Sequence, residues 1–288
     1  MTWRIVIVSS VAKLDLKLNT LVIRGEEVMR VHLSEIAVLV LENTAISITA
    51  ALLCELNKRG IKVVFCDEKR NPYGELIPYY GSHDATEKLR RQIAWDKENA
   101  GIVWAEIVKE KIMKQAQLLE ERGRTDSAVH LVSFANEVQK YDASNREGHA
   151  AKVYFNSLFG KSFSRDDNTP TNACLNYGYT VLLSAFNREI SIAGYYTQLG
   201  IFHDNTFNPF NLGSDLMEPF RPLVDKLVLE IDPVELTPES KKDLVDVLNQ
   251  EVMIDGKRNY LLNAIRIYCR SVFDAVNERD VSLLRFYE

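Results

Sequence analysis

TNACLNYGYTVLLSAFNREISIAGY, residues 171–195, is apolar on most of its faces when wound as an α-helix. Leu175, Tyr179, Leu182, Phe186 and Ile190 form one stripe, and little of the remaining circumference suits solvent. A helix covered in this way belongs at the centre of a bundle. The stretch therefore predicts a helical domain built around it. Upstream, LRRQIAWDKENAGIVWAEIVKEKIMKQAQLLEERG (89–123) is long, amphipathic and punctuated by lysines. Patterns from about residue 84 onward stay helical almost to the end.

The first 80 or so residues read differently. Trp3 to Val8 is β-branched and apolar, and VAKLDLKLNTLVI (11–23) alternates with the period of a half-buried strand. VMRVHLSEIAVLVLEN (28–43) supplies another strand and then a buried one. ISITAALLCELNKRG (46–60) has helical spacing and ends on glycine, and IKVVFCDE (61–68) returns to strand. NPYGELIPYYGSHD (71–84) is rich in turn formers. The expected fold is α+β. A β-rich, sandwich-like domain over 1–82 is followed by a linker over 83–95 and a larger all-α domain over 96–288.

The 288 residues are 46% hydrophobic and 26% charged, an ordinary globular composition. Nothing approaches the length of a membrane span. Four widely spaced cysteines, Cys54, Cys66, Cys174 and Cys269, lack a close pair and read as reduced, packed thiols of a cytoplasmic protein. The net charge of −5 argues only mildly against nucleic acid, because binding depends on a local basic face.

NREGHAAKVYFNSLFGKS (145–162) ends like a phosphate-binding P-loop, but Phe155 stands where that motif needs glycine and the preceding residues are helical. Gly160 then ends a helix. Glu147 lies at that helix's start, where the dipole favours a carboxylate whether or not it has a further role. His149, two residues on, projects away from it. In LGIFHDNTFNPFNLGSDLMEPFRPLVDKL (199–227), His203 follows Gly200, and Asp215 and Glu218 are three apart, with Arg221 three beyond. The histidine could be structural, and the acids with Arg221 a solvated helix start holding an internal ion pair. Together, carboxylates and an imidazole from helix, loop and helix make a mixed oxygen–nitrogen set suited to Mn²⁺ and Mg²⁺.

In this order, NREGHAAKVYFNSLF, NACLNYGY, GIFHDN and GSDLMEPFRP resemble the CRISPR-associated spacer-acquisition integrase, the universal adaptation nuclease of CRISPR systems. The resemblance covers the whole chain and is strongest to the type II-A branch. It implies a metal held by Glu147, His203 and Glu218, many relatives carrying aspartate at the last position. Asp215 matches an auxiliary acid, and Arg221 a basic position within reach of phosphate. The implied reaction is strand transfer, in which a 3′-hydroxyl of a short DNA attacks a phosphodiester at the edge of a CRISPR repeat, with Mg²⁺ or Mn²⁺ as cofactor. The implied assembly is a homodimer through the β domains, two dimers being bridged by a small partner subunit's dimer into a heterohexamer on double-stranded DNA. Arg266 and Arg270, one turn apart, and Lys109, Lys111, Lys114, Arg122 and Arg124 are the candidate phosphate contacts, the alternative for each being an ordinary solvated helix face. Two other classes stay open, a catalytically silent DNA-binding scaffold and a helical metalloenzyme acting on small molecules. Absent Glu-x-x-His pairs count against a di-iron version of the latter.

Overall fold

A computed structural model describes residues 4–68, 70, 72–79 and 84–288. Trp3, His83 and the expected domain boundary at 82 lie outside them. The chain falls into two compact units, Met1–Ala85 with Arg188–Tyr195, and Thr86–Asn187 with Tyr196–Glu288.

The first unit is strand-rich. One sheet has the order β1 (Arg4–Val8), β5 (Ile36–Leu41), β7 (Lys62–Cys66), β8 (Pro72–Glu75), in which β5 runs parallel to both neighbours and β8 antiparallel to β7. The other has the order β4 (Val28–His32), β3 (Thr20–Arg24), β2 (Lys13–Lys17), β6 (Ser47–Ile48). All six residues of β5, IAVLVL, are buried, which explains its continuous rather than alternating apolar run. β2 and β3 pair Leu14 with Ile23 and Leu16 with Leu21, so these side chains share one face. They join Leu39 and Leu41 of β5, Val63 of β7 and Leu52 and Leu56 of helix α1 (Ala50–Lys58) in one core. Thr49 caps α1 by accepting from the Leu52 amide. Cys66, Cys174 and Cys269 are buried, whereas Cys54, expected to be packed, is exposed on α1.

The second unit is helical. Its elements are α2 (Ala85–Ile93), α3 (Lys97–Glu121), α4 (Thr125–Asn136), α5 (Arg146–Phe159), α6 (Pro170–Ile192, of which the residues from Arg188 on belong to the first unit), α7 (Asn211–Leu216), α8 (Arg221–Ile231), α9 (Pro238–Asp246) and α10 (Leu261–Glu278). The stretch expected as a linker thus carries α2, whose Gln92 donates to the Tyr196 and Leu199 carbonyls. Every residue of the α6 stripe is buried. The region is not wholly helical. A hairpin of β9 (Glu251–Ile254) and β10 (Lys257–Tyr260) precedes α10. Its turn, Asp255-Gly256, places both residues at positive φ (52° and 68°), the backbone that an Asp-Gly hairpin supplies. No helix among the described residues is long and apolar enough to cross a membrane.

Candidate functional site: two acids on a buried lysine

The site lies wholly within the helical unit. Glu147 is the second residue of α5, and the chain before it turns sharply, with Tyr141, Asp142 and Asn145 all at positive φ. Asp142 folds back onto the helix start, its carboxylate accepting from the amides of Arg146 (2.8 Å) and Glu147 (3.0 Å). Two of the helix's orphan donors are satisfied this way, which orients the first turn and with it Glu147.

Glu218 opens a short 3-10 turn (Glu218–Phe220) between α7 and α8 and is buried. Its Oε1 accepts from Arg221 Nε at 2.9 Å. Burial acts to raise its pKa, but Arg221 and Lys111 outweigh burial and hold it below the ordinary glutamate value. Arg221 in turn lies over the Tyr179 ring, 4.7 Å from its centroid. Its guanidinium, paired with Glu218, remains partly exposed.

Lys111 of α3 joins the two acids. Its ammonium bonds Glu147 Oε1 and lies 2.5 Å from Glu218 Oε2. Both approaches are ion pairs of a buried lysine. Burial works against the charged lysine, yet Glu218 and Glu147 together lift its pKa above the ordinary value. Lys114 is also buried, 4.4 Å from the Tyr287 ring and 3.5 Å from Glu110. Lys111 and Lys114 are therefore not the solvated DNA-gripping residues expected of them.

His203 sits in the loop between α6 and α7. Its Nδ1–H donates to Asp215 Oδ1 at 2.5 Å, and the same carboxylate accepts the amides of Ile201 (2.6 Å), Phe202 (3.0 Å) and His203 (3.1 Å). Asp215 is fully buried and serves the loop, so its auxiliary part is positioning the imidazole. With Nδ1 committed, Nε2 is the nitrogen left with a lone pair. The hydrogen bond to Asp215 is the main cause of a raised His203 pKa. Gly200 makes this arrangement possible, because a β-carbon there would run into the His203 carbonyl and stand 2.7 Å from Asp215 Oδ2. The imidazole also meets the edge of Trp104 of α3 (5.8 Å between centroids), and Trp104 stacks flat on Phe202 at 4.6 Å.

The structure thus brings Glu147 and Glu218 onto one cation, with His203 close enough that both acids act on its charge. Among the described residues, no group of three or more His, Cys, Asp or Glu side chains is already disposed around a metal position. The donor set nevertheless fits a hard divalent ion. The acids converge on one buried positive charge, and carboxylate oxygens with an imidazole nitrogen are the donors such an ion takes. Arg266 is half-buried and donates to Asn263, Arg270 is exposed, and neither joins the cluster. Tyr179 is buried with its hydroxyl donated to Asp225, and burial pushes its pKa far up, which removes it as a nucleophile.

The architecture defines a class of protein with a strand-rich first unit and a helical second unit holding an acid–lysine–acid cluster beside an anchored histidine. The family model for CRISPR associated protein Cas1 matches residues 5–238. A protein named CRISPR-associated endonuclease Cas1 from Neisseria meningitidis serogroup C (strain 8013) is 36% identical over 294 residues, taking in 100% of this chain and 97% of that one. Among solved structures, a chain of a Cas6-RT-Cas1–Cas2 complex aligns with a TM-score of 0.76 and 18% identity. It covers 98% of this chain but only 36% of that one. A casposase bound to integration product aligns with a TM-score of 0.76 and 19% identity, covering 97% of this chain and 92% of that one. The chain belongs to the CRISPR-associated Cas1 family.

Proposed function

We propose that the protein is a metal-dependent DNA integrase and endonuclease that joins short DNA into a CRISPR array by attack of a 3′-hydroxyl on a phosphodiester. The observation that carries this reading is the convergence of Glu147 and Glu218, from separate elements, on one buried cation position beside an oriented His203. Glu147, Glu218 and His203 Nε2 are the groups that would hold Mg²⁺ or Mn²⁺. Such an ion supplies Lewis acidity for the attacking hydroxyl and offsets charge developing on the phosphorus centre. Asp215 takes the Nδ1 proton and so leaves Nε2 as the nitrogen with a lone pair to offer, and Arg221 keeps Glu218 ionised and aimed. Transesterification exchanges one phosphodiester for another and needs no nucleotide, in keeping with α5 running as helix through Phe155, where a P-loop would need its glycine.

The assembly proposed is a homodimer through the strand-rich unit, bridged by a small partner subunit of the Cas2 kind and bound to double-stranded DNA. A Cas1–Cas2 complex among the structural relatives supports the partner. The type II-A assignment is supported by the wording of the sequence blocks alone. One observation favours the silent scaffold, namely that Lys111 already pairs with both carboxylates.

The deciding experiment is integration of a labelled short duplex into a repeat-bearing plasmid, with and without Mn²⁺ and the partner subunit. Glu147→Ala, His203→Ala and Glu218→Ala should each abolish joining while leaving duplex binding. His149→Ala should retain most of it. Full joining by His203→Ala would remove the site as described, and no metal-dependent joining by the wild type would leave the scaffold.

A further inference from the structure

Lys111 reaches the two acids from inside the packing of α3. Its neighbours along the helix, Trp104, Ile107, Val108 and Ile112, are fully buried, and its own stem is buried with them. Only the ammonium is spent on polar contacts, with Glu147 and Glu218 on either side and Arg221 holding the other oxygen of Glu218. A carboxylate oxygen stands about 2.0–2.1 Å from Mg²⁺ and about 2.7–2.9 Å from an ammonium. Either cation, bound to both acids, fills the same gap between them. Two cations in one buried gap repel strongly, since little water is there to screen them. Occupancy is therefore exclusive.

We propose that Lys111 is a built-in competitor of the divalent cation. It holds Glu147 and Glu218 together when the cation is absent and leaves their gap when the cation enters. This rests on Glu147, His203 and Glu218 being the ligands. The lysine's flexible four-carbon stem permits the withdrawal, which a rigid guanidinium would resist. A purely structural lysine would differ in one respect: its removal would not improve cation binding.

The test uses the full-length protein and Mn²⁺ alone, free Mn²⁺ being followed by its EPR signal, alongside melting temperatures in EDTA and in Mn²⁺. Lys111→Met removes the charge and keeps the stem. Lys111→Gln keeps a donor for Glu147 and serves if the first variant folds poorly. Both should melt below wild type in EDTA, because two buried acids lose their counter-charge, and Mn²⁺ should raise their melting temperature more than it raises wild type's. Both should bind Mn²⁺ about tenfold or more tightly than wild type, within the usual range for coupled binding. Unchanged or weaker Mn²⁺ binding by the folded variants overturns the proposal. If wild-type binding is abolished by His203→Ala while the lysine variants match wild type, competition alone is wrong. If wild type binds no Mn²⁺, or His203→Ala binds as wild type does, the ligand assignment fails and the competition fails with it.

Discussion

Asp225 on α8 accepts the hydroxyls of both Tyr154 (2.7 Å) and Tyr179, in a pocket closed to water. Burial is the largest influence on it and pushes its carboxyl up to about 6, against the two tyrosine hydrogen bonds and Arg221 that pull the other way. A folded-state value above the unfolded one means that the folded protein binds the extra proton between those values. Stability from this group is present below the unfolded pKa and is lost as pH rises through about 6. The stability of wild type relative to Asp225→Asn should therefore fall by roughly 2 kcal/mol between pH 4 and pH 7. Urea denaturation of both proteins across that range is the measurement. A difference independent of pH would mean that Asp225 titrates normally.

At the scale of elements, α5 matters because it carries Glu147 on its first turn, where helices fray. Asp142 counters this by taking the first two amides, and the left-handed backbone at Tyr141, Asp142 and Asn145 is what brings it there. Asp142→Ala should cost about 1 kcal/mol, the usual value for losing a side chain that caps a helix. Asp142→Asn, which can still accept from the amides, should recover most of it. Chemical denaturation checks the order wild type, Asn, Ala. Identical midpoints for all three would show that the turn itself holds the helix. α3 is the complementary element. It contributes Trp104 to the histidine's surroundings and Lys111 to the acids, so one rigid helix positions both sides of the site.

For the whole molecule, two expectations concern surfaces. β4 is the outer strand of its sheet, and Val28 and Met29 on it are half exposed. An apolar outer strand of this kind is a ready pairing surface. If the homodimer forms there, Met29→Glu combined with Val28→Lys should convert a dimer to a monomer in light scattering. A surviving dimer would move the interface elsewhere. DNA binding should depend on charge and be nearly blind to sequence. Arg266→Ala with Arg270→Ala should weaken binding to random duplex uniformly and reduce the slope of log K against log salt by about 2, or about 0.9 for each phosphate no longer neutralised. A slope that stays unchanged would remove these two residues from the binding face.

Period alone was enough to identify the two kinds of unit. The alternation in residues 11–23, the continuous apolar run of β5 and the full stripe of α6 are local properties, and each element formed where its pattern stood. The Asp-Gly turn at 255–256 is equally local, although the helical patterns on either side of it mask the hairpin. Glu147, His203 and Glu218 could be nominated from short motifs, because each sits next to its own punctuation of helix start, glycine or turn. What those residues face was decided by tertiary structure. Asp215 and Glu218 are three apart in sequence, yet one serves the His203 loop and the other pairs with α3 and α8. Lys111 falls on the buried stripe of α3 with Trp104, Val108 and Gln115, so its burial could be read from spacing. Its partners could not, because they lie 36 and 107 residues away in the chain. Helical period reports which side of a helix turns inward, but only packing determines which charges meet there.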